Sequence, residues 1–325
     1  MKKRFALVAA ASAALLALTA CTDSAAPEET APSETETTEM RQVRVASLPI
    51  SDQIALQVGI DEGIFEKYGL DVEVVPAQGG AQAIPALLSG DIQFAIGQPF
   101  GPFRAGLQDL GITVISDFSS SLPEGNDVNG VVSLADSGIE RPSDLQGKKV
   151  AVNSIGAAGD LTIRAAVDAD GGDSSTVEFV EVAFPDAEAQ LEAGNIDAAW
   201  VPDPFMSKIV ANGNLVVHPY QAVLPGLTVL TNITTNELIE SDPQLVEDYA
   251  AAVAESLEFT QNNEEAARAA IVKHLGIPEE VAAGLTLPKF DPTLNIAQIT
   301  ELAELAVEYG TLDTMPDIQA IFVQY

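Results

Sequence analysis

Two periods of apolar and polar residues take turns along this chain. Val43 to Ser47 alternates as a strand, and after the turn Leu48-Pro49-Ile50 an apolar stripe through Ile54, Val58, Ile64 and Phe65 recurs at helical spacing. Ser51 or Asp52 supplies an N-cap for that helix, which the pattern carries to about Tyr68, with Gly69 as its left-handed stop. Asp71 to Val75 alternates again, Gly79-Gly80 opens a second helix through Leu88, and Ile92 to Ile96 is a third strand. A further strand spans Ile112 to Phe118.

The same order returns about a hundred residues later. Lys149 to Asn153 predicts a strand, the loop Ser154 to Gly159 leads into a helix from Asp160 to about Ala169, and Val177 to Val182 is the next strand. Ala187 to Ala193 is helical and Ile196 to Trp200 is a strand. The third strands even end alike, on Gln98-Pro99-Phe100 in one half and Asp203-Pro204-Phe205 in the other. The chain thus carries one βαβαβ unit twice. This alternation predicts two α/β lobes with parallel sheets and right-handed crossovers. Ligands of such sheets sit at the carboxyl ends of the strands, so two units facing each other make a cleft. Two independent α/β domains sharing no site is the plainer alternative. Pro243 to Asn262, Glu264 to Leu275, Pro278 to Gly284 and Ile296 to Gly310 predict helices packed on the lobes.

Composition narrows the function. The 325 residues carry 48 Asp and Glu against 15 Lys and Arg, a net charge of −33, which repels nucleic acid and argues against a nucleic-acid partner. The single cysteine, Cys21, excludes an intrachain disulfide and a multi-cysteine metal site, and two histidines, His218 and His274, leave little for histidine-based catalysis. No metal or cofactor is expected.

The N-terminus reads as an export signal. Lys2, Lys3 and Arg4 precede an apolar run from Phe5 to Leu18. Leu18-Thr19-Ala20-Cys21 then resembles the bacterial lipobox, which implies a signal peptide over residues 1–20 and lipidation of Cys21. Residues 21–41, rich in Ser, Thr, Pro, Ala and Glu, read as a disordered tether with a reach of roughly 70 Å. The expected location is extracytoplasmic, lipid-anchored to the bacterial cell membrane.

The segments Glu62 to Glu73, Ala86 to Ile92 and Asp144 to Val150, with Ala199-Trp200 and Pro204-Phe205, resemble the nitrate/sulfonate/taurine and thiamine-pyrimidine precursor-binding family of periplasmic solute-binding proteins. The resemblance implies a type II periplasmic binding protein fold: two βαβ lobes with a hinge and a central cleft. Lobe 1 would comprise 42–134 plus 227–325 and lobe 2 would comprise 135–226. The chain would cross near Leu134 to Gly138 and near Tyr220 to Gly226. It further implies a monomer that delivers a small-molecule solute to an ABC permease in the cytoplasmic membrane.

Strand-to-helix loops nominate the ligand-binding residues: Ile50, Asp52, Gln53, Gln78, Gly79, Gly80, Gln98, Phe100 and Ser119 from the first half, and Ser154, Ala157, Gly159, Asp160, Asp203 and Phe205 from the second. Glycines there let backbone N–H groups approach a ligand, and helix N-termini favour acceptor atoms. Asp52, Asp160 and Asp203 are alternatively plain helix caps, and Trp200 a core residue. These loops hold three carboxylates and no Lys or Arg, which favours a neutral or cationic heteroaromatic solute, such as a thiamine-precursor pyrimidine, over a sulfonate, taurine or nitrate anion. Arg104 and Arg164, a turn or two into their helices, are placed to reach inward and would favour the anion. An enzyme related to thiamine-pyrimidine synthases, which share this fold, is the remote alternative: their cysteine-rich iron motif is absent here, and neither histidine falls in a nominated loop. A surface lipoprotein that binds another protein is the third reading.

Overall fold

In the computed structural model, residues 40–77 and 79–325 are described. The segments expected to be a signal peptide and a tether, up to residue 39 and including Cys21, and Gln78 lie outside the described residues. Ten strands are found among the described residues: β1 (Arg41–Ser47), β2 (Leu70–Pro76), β3 (Phe94–Gly97), β4 (Ile112–Ser120), β5 (Asn129–Leu134), β6 (Lys149–Val152), β7 (Glu178–Glu181), β8 (Ala198–Pro202), β9 (Gly213–Val217) and β10 (Thr228–Thr235). They form two five-stranded sheets, ordered β2-β1-β3-β10-β4 and β7-β6-β8-β5-β9.

The two orders are one pattern applied twice. In each sheet three parallel strands are followed by an antiparallel one, β10 in the first and β5 in the second, each pairing on both sides. The sheets are therefore mixed, which corrects the expectation of parallel sheets. The cause is topological: each antiparallel strand enters its sheet straight from a crossing, so it runs against strands that arrive through helical crossovers. The same fact moves a boundary. Asn129–Leu134 pairs with β8 and β9, so it belongs to the second sheet, and the chain crosses at residues 121–128 rather than at Leu134 to Gly138. It returns to the first sheet between Val217 and Thr228.

The helix expected from Ser51 to Tyr68 is three pieces. A single 3-10 turn, Ser51–Gln53, leads into the helix Ile54–Asp61, and Gly63 at φ 66° turns the chain into a short helix, Ile64–Lys67. Neither Ser51 nor Asp52 caps it, because the residue at the N-cap position is Ile50 and no side chain bonds the first turn.

The C-terminal helices Pro243–Asn262, Glu264–Leu275 and Ile296–Glu308 enlarge the first lobe. Tyr249 is fully buried, lies face to face with Phe94 of β3 at 3.6 Å, and donates to Asn232 Oδ1 at 3.3 Å. Helix Ile54–Asp61 approaches Pro243–Asn262 at Gly59, where a Cβ would meet Ser256 Oγ at 2.0 Å. The free edge of β4 is also covered: Asp117 N–H donates to Pro292 O, Ser120 exchanges backbone bonds with Lys289, and Val323 and Tyr325 N–H groups donate to Val114 and Ile115 carbonyls. No helix among the described residues is long and apolar enough to cross a membrane.

Candidate functional site

The carboxyl ends of the two sheets meet around a chamber of about 50 Å³, which adjoins a larger outer space of about 310 Å³ through Leu48, Ile50, Gln82, Asn153 and Phe184. Of the residues nominated from sequence, Ile50, Asp52, Gly79, Gln98, Phe100, Ser154 and Ala157 line the chamber, and Phe205 lines the outer space.

The chamber is closed by bonds that run from one sheet's loops to the other's. Ser51 N–H and Oγ both donate to Asp203 O, at 3.3 and 3.1 Å. Gln98 Oε1 accepts from Ala158 N–H at 3.2 Å while its Nε2 donates to the Tyr220 hydroxyl at 2.9 Å. Arg104 donates to Gly156 O. Away from the chamber, the Tyr309 hydroxyl donates to Asp168 Oδ2 at 3.1 Å, near the C-terminal end of the helix Ala158–Ala169.

The aromatic wall comes mainly from the second lobe. Trp200, near the end of β8, is buried, donates from Nε1 to Asn129 Oδ1 at 3.0 Å, and meets the edge of Phe184 at 5.6 Å. It is both core and chamber wall. Gly159 does not line the chamber. It lets its helix, Ala158–Ala169, lie against the indole, since a Cβ there would stand 3.0 Å from the ring.

The three aspartates separate. Asp160 is a cap: its carboxylate accepts from Gly156 N–H at 3.0 Å and Ala157 N–H at 2.8 Å. Asp203 Oδ1 accepts from the Ser207 N–H and hydroxyl at 3.0 and 2.7 Å; the group is buried but does not line the chamber. Asp52 is buried and lines it, and its Oδ1 has no hydrogen-bond partner. Burial pushes the Asp52 carboxyl well above the usual carboxylate range, and the Asp127 and Asp203 carboxylates push it the same way. The neighbouring Tyr220 phenol is likewise raised, first by burial and then by Asp52.

Gln53 and Ser119 are buried but stand apart from the chamber. Gln53 Oε1 accepts from Leu48 N–H at 2.7 Å and from the Ser47 hydroxyl, fixing the turn that presents Asp52. Gly80 begins the helix Gly80–Leu88. Arg104 does reach the chamber, its guanidinium 5.9 Å from the Phe100 ring centre. Arg164 does not: it lies over Phe179 and donates to Ser174 O. Gln82, Asn129, Asn153, Phe184 and Leu230 also line the chamber and were not singled out from sequence, since only the folded chain brings them there. No cluster of His, Cys, Asp and Glu able to hold a metal ion occurs among the described residues.

Comparison with known proteins follows this geometry. Residues 51–267 match the model of the family described as NMT1/THI5 like. A Brucella abortus (strain 2308) protein named only as a binding protein is 23% identical over 296 residues, 85% of this chain and 88% of that one. The formylaminopyrimidine-binding protein of Halalkalibacterium halodurans is 28% identical over 185 residues, 57% of this chain and 52% of that one. Among solved structures, the alkanesulfonate-binding protein of Xanthomonas axonopodis pv. citri superposes with a TM-score of 0.73 at 15% identity, over 88% of this chain and 99% of that one. The periplasmic nitrate-binding protein of Synechocystis PCC 6803 gives 0.72 at 13% identity, over 87% and 86%. These likenesses give the fold of a periplasmic binding protein, and with its family model matched from residue 51 to residue 267, this chain belongs to the NMT1/THI5-like family.

Proposed function

We propose that this chain is the extracytoplasmic solute-binding component of an ABC importer, anchored by a lipid on Cys21, and that it captures a small neutral or cationic heteroaromatic solute between its two sheets. The observation that carries the reading is the chamber itself. Its walls include Phe100, Phe184 and Trp200, and it buries a carboxyl, Asp52, that lacks a partner on Oδ1. Flat aromatic walls suit a ring, and a buried acceptor calls for a donor. The pyrimidine-binding relative from Halalkalibacterium halodurans points the same way.

A sulfonate, taurine or nitrate anion is the second reading, favoured by Arg104 and by the neighbours named for such ligands. The helix end nominated to hold an anion is already occupied, however. Gly156 and Ala157 N–H groups donate to Asp160, Ala158 N–H donates to Gln98, and Arg104 is engaged by Gly156 O. An anion entering here would meet Asp52 and would have to displace those bonds. Binding rather than catalysis also fits the histidines, which stand away from the chamber: His218 bonds Asn129 O and Asp127 N–H beside the crossings, and His274 pairs with Asp61.

A thermal-shift screen of purified residues 22–325 tests the reading, because a ligand that binds only the native state raises the melting temperature. The panel holds aminopyrimidines, aliphatic sulfonates, taurine, nitrate, polyamines and aromatic acids. A shift with an aminopyrimidine and none with nitrate or sulfonate is the expected result; the reverse pattern sinks it.

A further inference from the structure

We propose that closing the two lobes takes up a proton at Asp52 and opening releases it, so that the protein closes more firmly in acid and opens as pH rises. The inference concerns the lobes themselves and holds whichever solute they enclose.

Three aspartates from three parts of the chain come together where the lobes meet. Asp52 sits in the 3-10 turn Ser51–Gln53 of the first lobe, Asp203 follows β8 of the second, and Asp127 lies in the crossing at 121–128. One run of backbone bonds strings them together: Ser51 N–H donates to Asp203 O at 3.3 Å, and Asp203 N–H donates to Val128 O at 3.1 Å. All three side chains are buried, but their donors are unequal. Asp127 accepts from Ser121 Oγ, Leu122 N–H and Val128 N–H at 2.7, 2.9 and 2.9 Å. Asp203 Oδ1 accepts twice from Ser207, leaving Oδ2 without a partner. Asp52, at 1% exposure, has no donor on Oδ1. A buried carboxylate is tolerated where donors surround it and costly where they do not, so the proton falls to Asp52.

Burial holds the Asp52 carboxyl far above the usual carboxylate range, and the facing Asp127 and Asp203 carboxylates add to the effect. Parting the lobes returns the group to water and to its ordinary value of about 4. The closed form therefore keeps a proton that the open form gives up to solvent above about pH 4. The open-to-closed ratio then rises by up to about tenfold per pH unit, until the closed carboxyl itself ionises. The other groups nearby do not supply this effect. The Tyr220 phenol is raised well above its usual range and stays neutral. Arg104 is bound to Gly156 O, beside Asp160. His218, at the head of the helix Pro219–Val223, joins the two crossings: its Nε2 accepts from Asp127 N–H at 3.3 Å and its Nδ1 meets Asn129 O at 2.6 Å. A second proton on that imidazole would break the bond from Asp127 and loosen the crossings in acid, which is the opposite sign.

Acrylamide quenching of Trp200, the chain's single tryptophan and part of the chamber wall, follows opening without a label. In the full-length chain, purified in detergent and scanned from pH 5 to 8, quenching is expected to grow with pH, the open-to-closed ratio rising by up to about tenfold per unit. Asp52→Asn, which carries no charge at any of these pH values, is expected to stay as shielded at pH 8 as the wild type is at pH 5. If circular dichroism shows that variant unfolded, Asp203→Asn takes its place: it removes one facing charge, so the rise should level off at a lower pH than in the wild type. A flat response in the wild type overturns the proposal, and so does a slope that survives in Asp52→Asn. Quenching that grows towards acid overturns it as well and assigns the proton to His218.

Discussion

The two lobes share a strand order and differ in what surrounds it. In the first, β4 is buried along its whole length, its free edge bonded by residues 289–292 and 323–325, and Tyr249 presses on β3. In the second, the equivalent strand β9 is short, only partly covered, and leaves Leu215 at 37% exposure. An uncovered edge is tolerable when it is short. The first lobe is thus a clad foundation that carries Asp52, Gln98 and Arg104, while the second is a lighter body that brings Trp200, Phe184 and Asn129 to the chamber.

Substitutions can break or sharpen this contrast. Tyr249→Ala removes the ring stacked on Phe94 and is expected to cost about 3–5 kcal/mol in urea denaturation. A loss below about 1 kcal/mol would mean the C-terminal helices are ornament rather than foundation.

The second effect depends on pH. Burial pushes the Asp117 carboxyl, on the covered strand β4, up to about 7, against the hydrogen bonds it accepts from Thr228, Phe118 N–H and Ser120. The folded protein then keeps a proton that the unfolded chain releases near pH 4. Stability from this group is full below about pH 4, falls as pH rises to about 7, and is level beyond. Asp117→Asn should remove that fall. The variant is expected to be more stable than the wild type at pH 8, by a few kcal/mol at most, with the gap closing towards pH 4. Parallel stability curves for the two proteins from pH 4 to 8 would show that the cladding does not keep water from Asp117. The smallest effect belongs to the bare edge: Leu215→Ser should change stability by less than about 1 kcal/mol, and a larger loss would show β9 to be covered by something in solution.

Much of this architecture is legible in the sequence. The doubled βαβαβ pattern and the helices Pro243–Asn262 and Glu264–Leu275 follow from local periodicity, cap residues and prolines, which act within a few neighbours. The sheet to which Asn129–Leu134 belongs does not, because pairing with β8 and β9 spans residues up to 217 and leaves no mark on the strand itself. The site divides similarly. Ile50, Asp52, Gln98, Phe100, Ser154 and Ala157, nominated from strand ends, line the chamber, since sheet geometry alone puts loops there. That geometry cannot say which aspartate is spoken for. Asp160 and the Oδ1 of Asp203 are bound by N–H groups three or four residues away, while Asp52 Oδ1 and Asp203 Oδ2 are buried without a partner.

The exchange of antiparallel strands also sets an order of completion during synthesis. All five strands of the second sheet lie between residues 129 and 217, a continuous stretch. The first sheet needs Thr228–Thr235 to join β3 to β4, and those eight residues leave the ribosome after the second sheet is whole. The lobe made first in sequence is therefore finished last: β3 and β4, both synthesised before the second sheet begins, wait unjoined until the strand that follows its completion arrives.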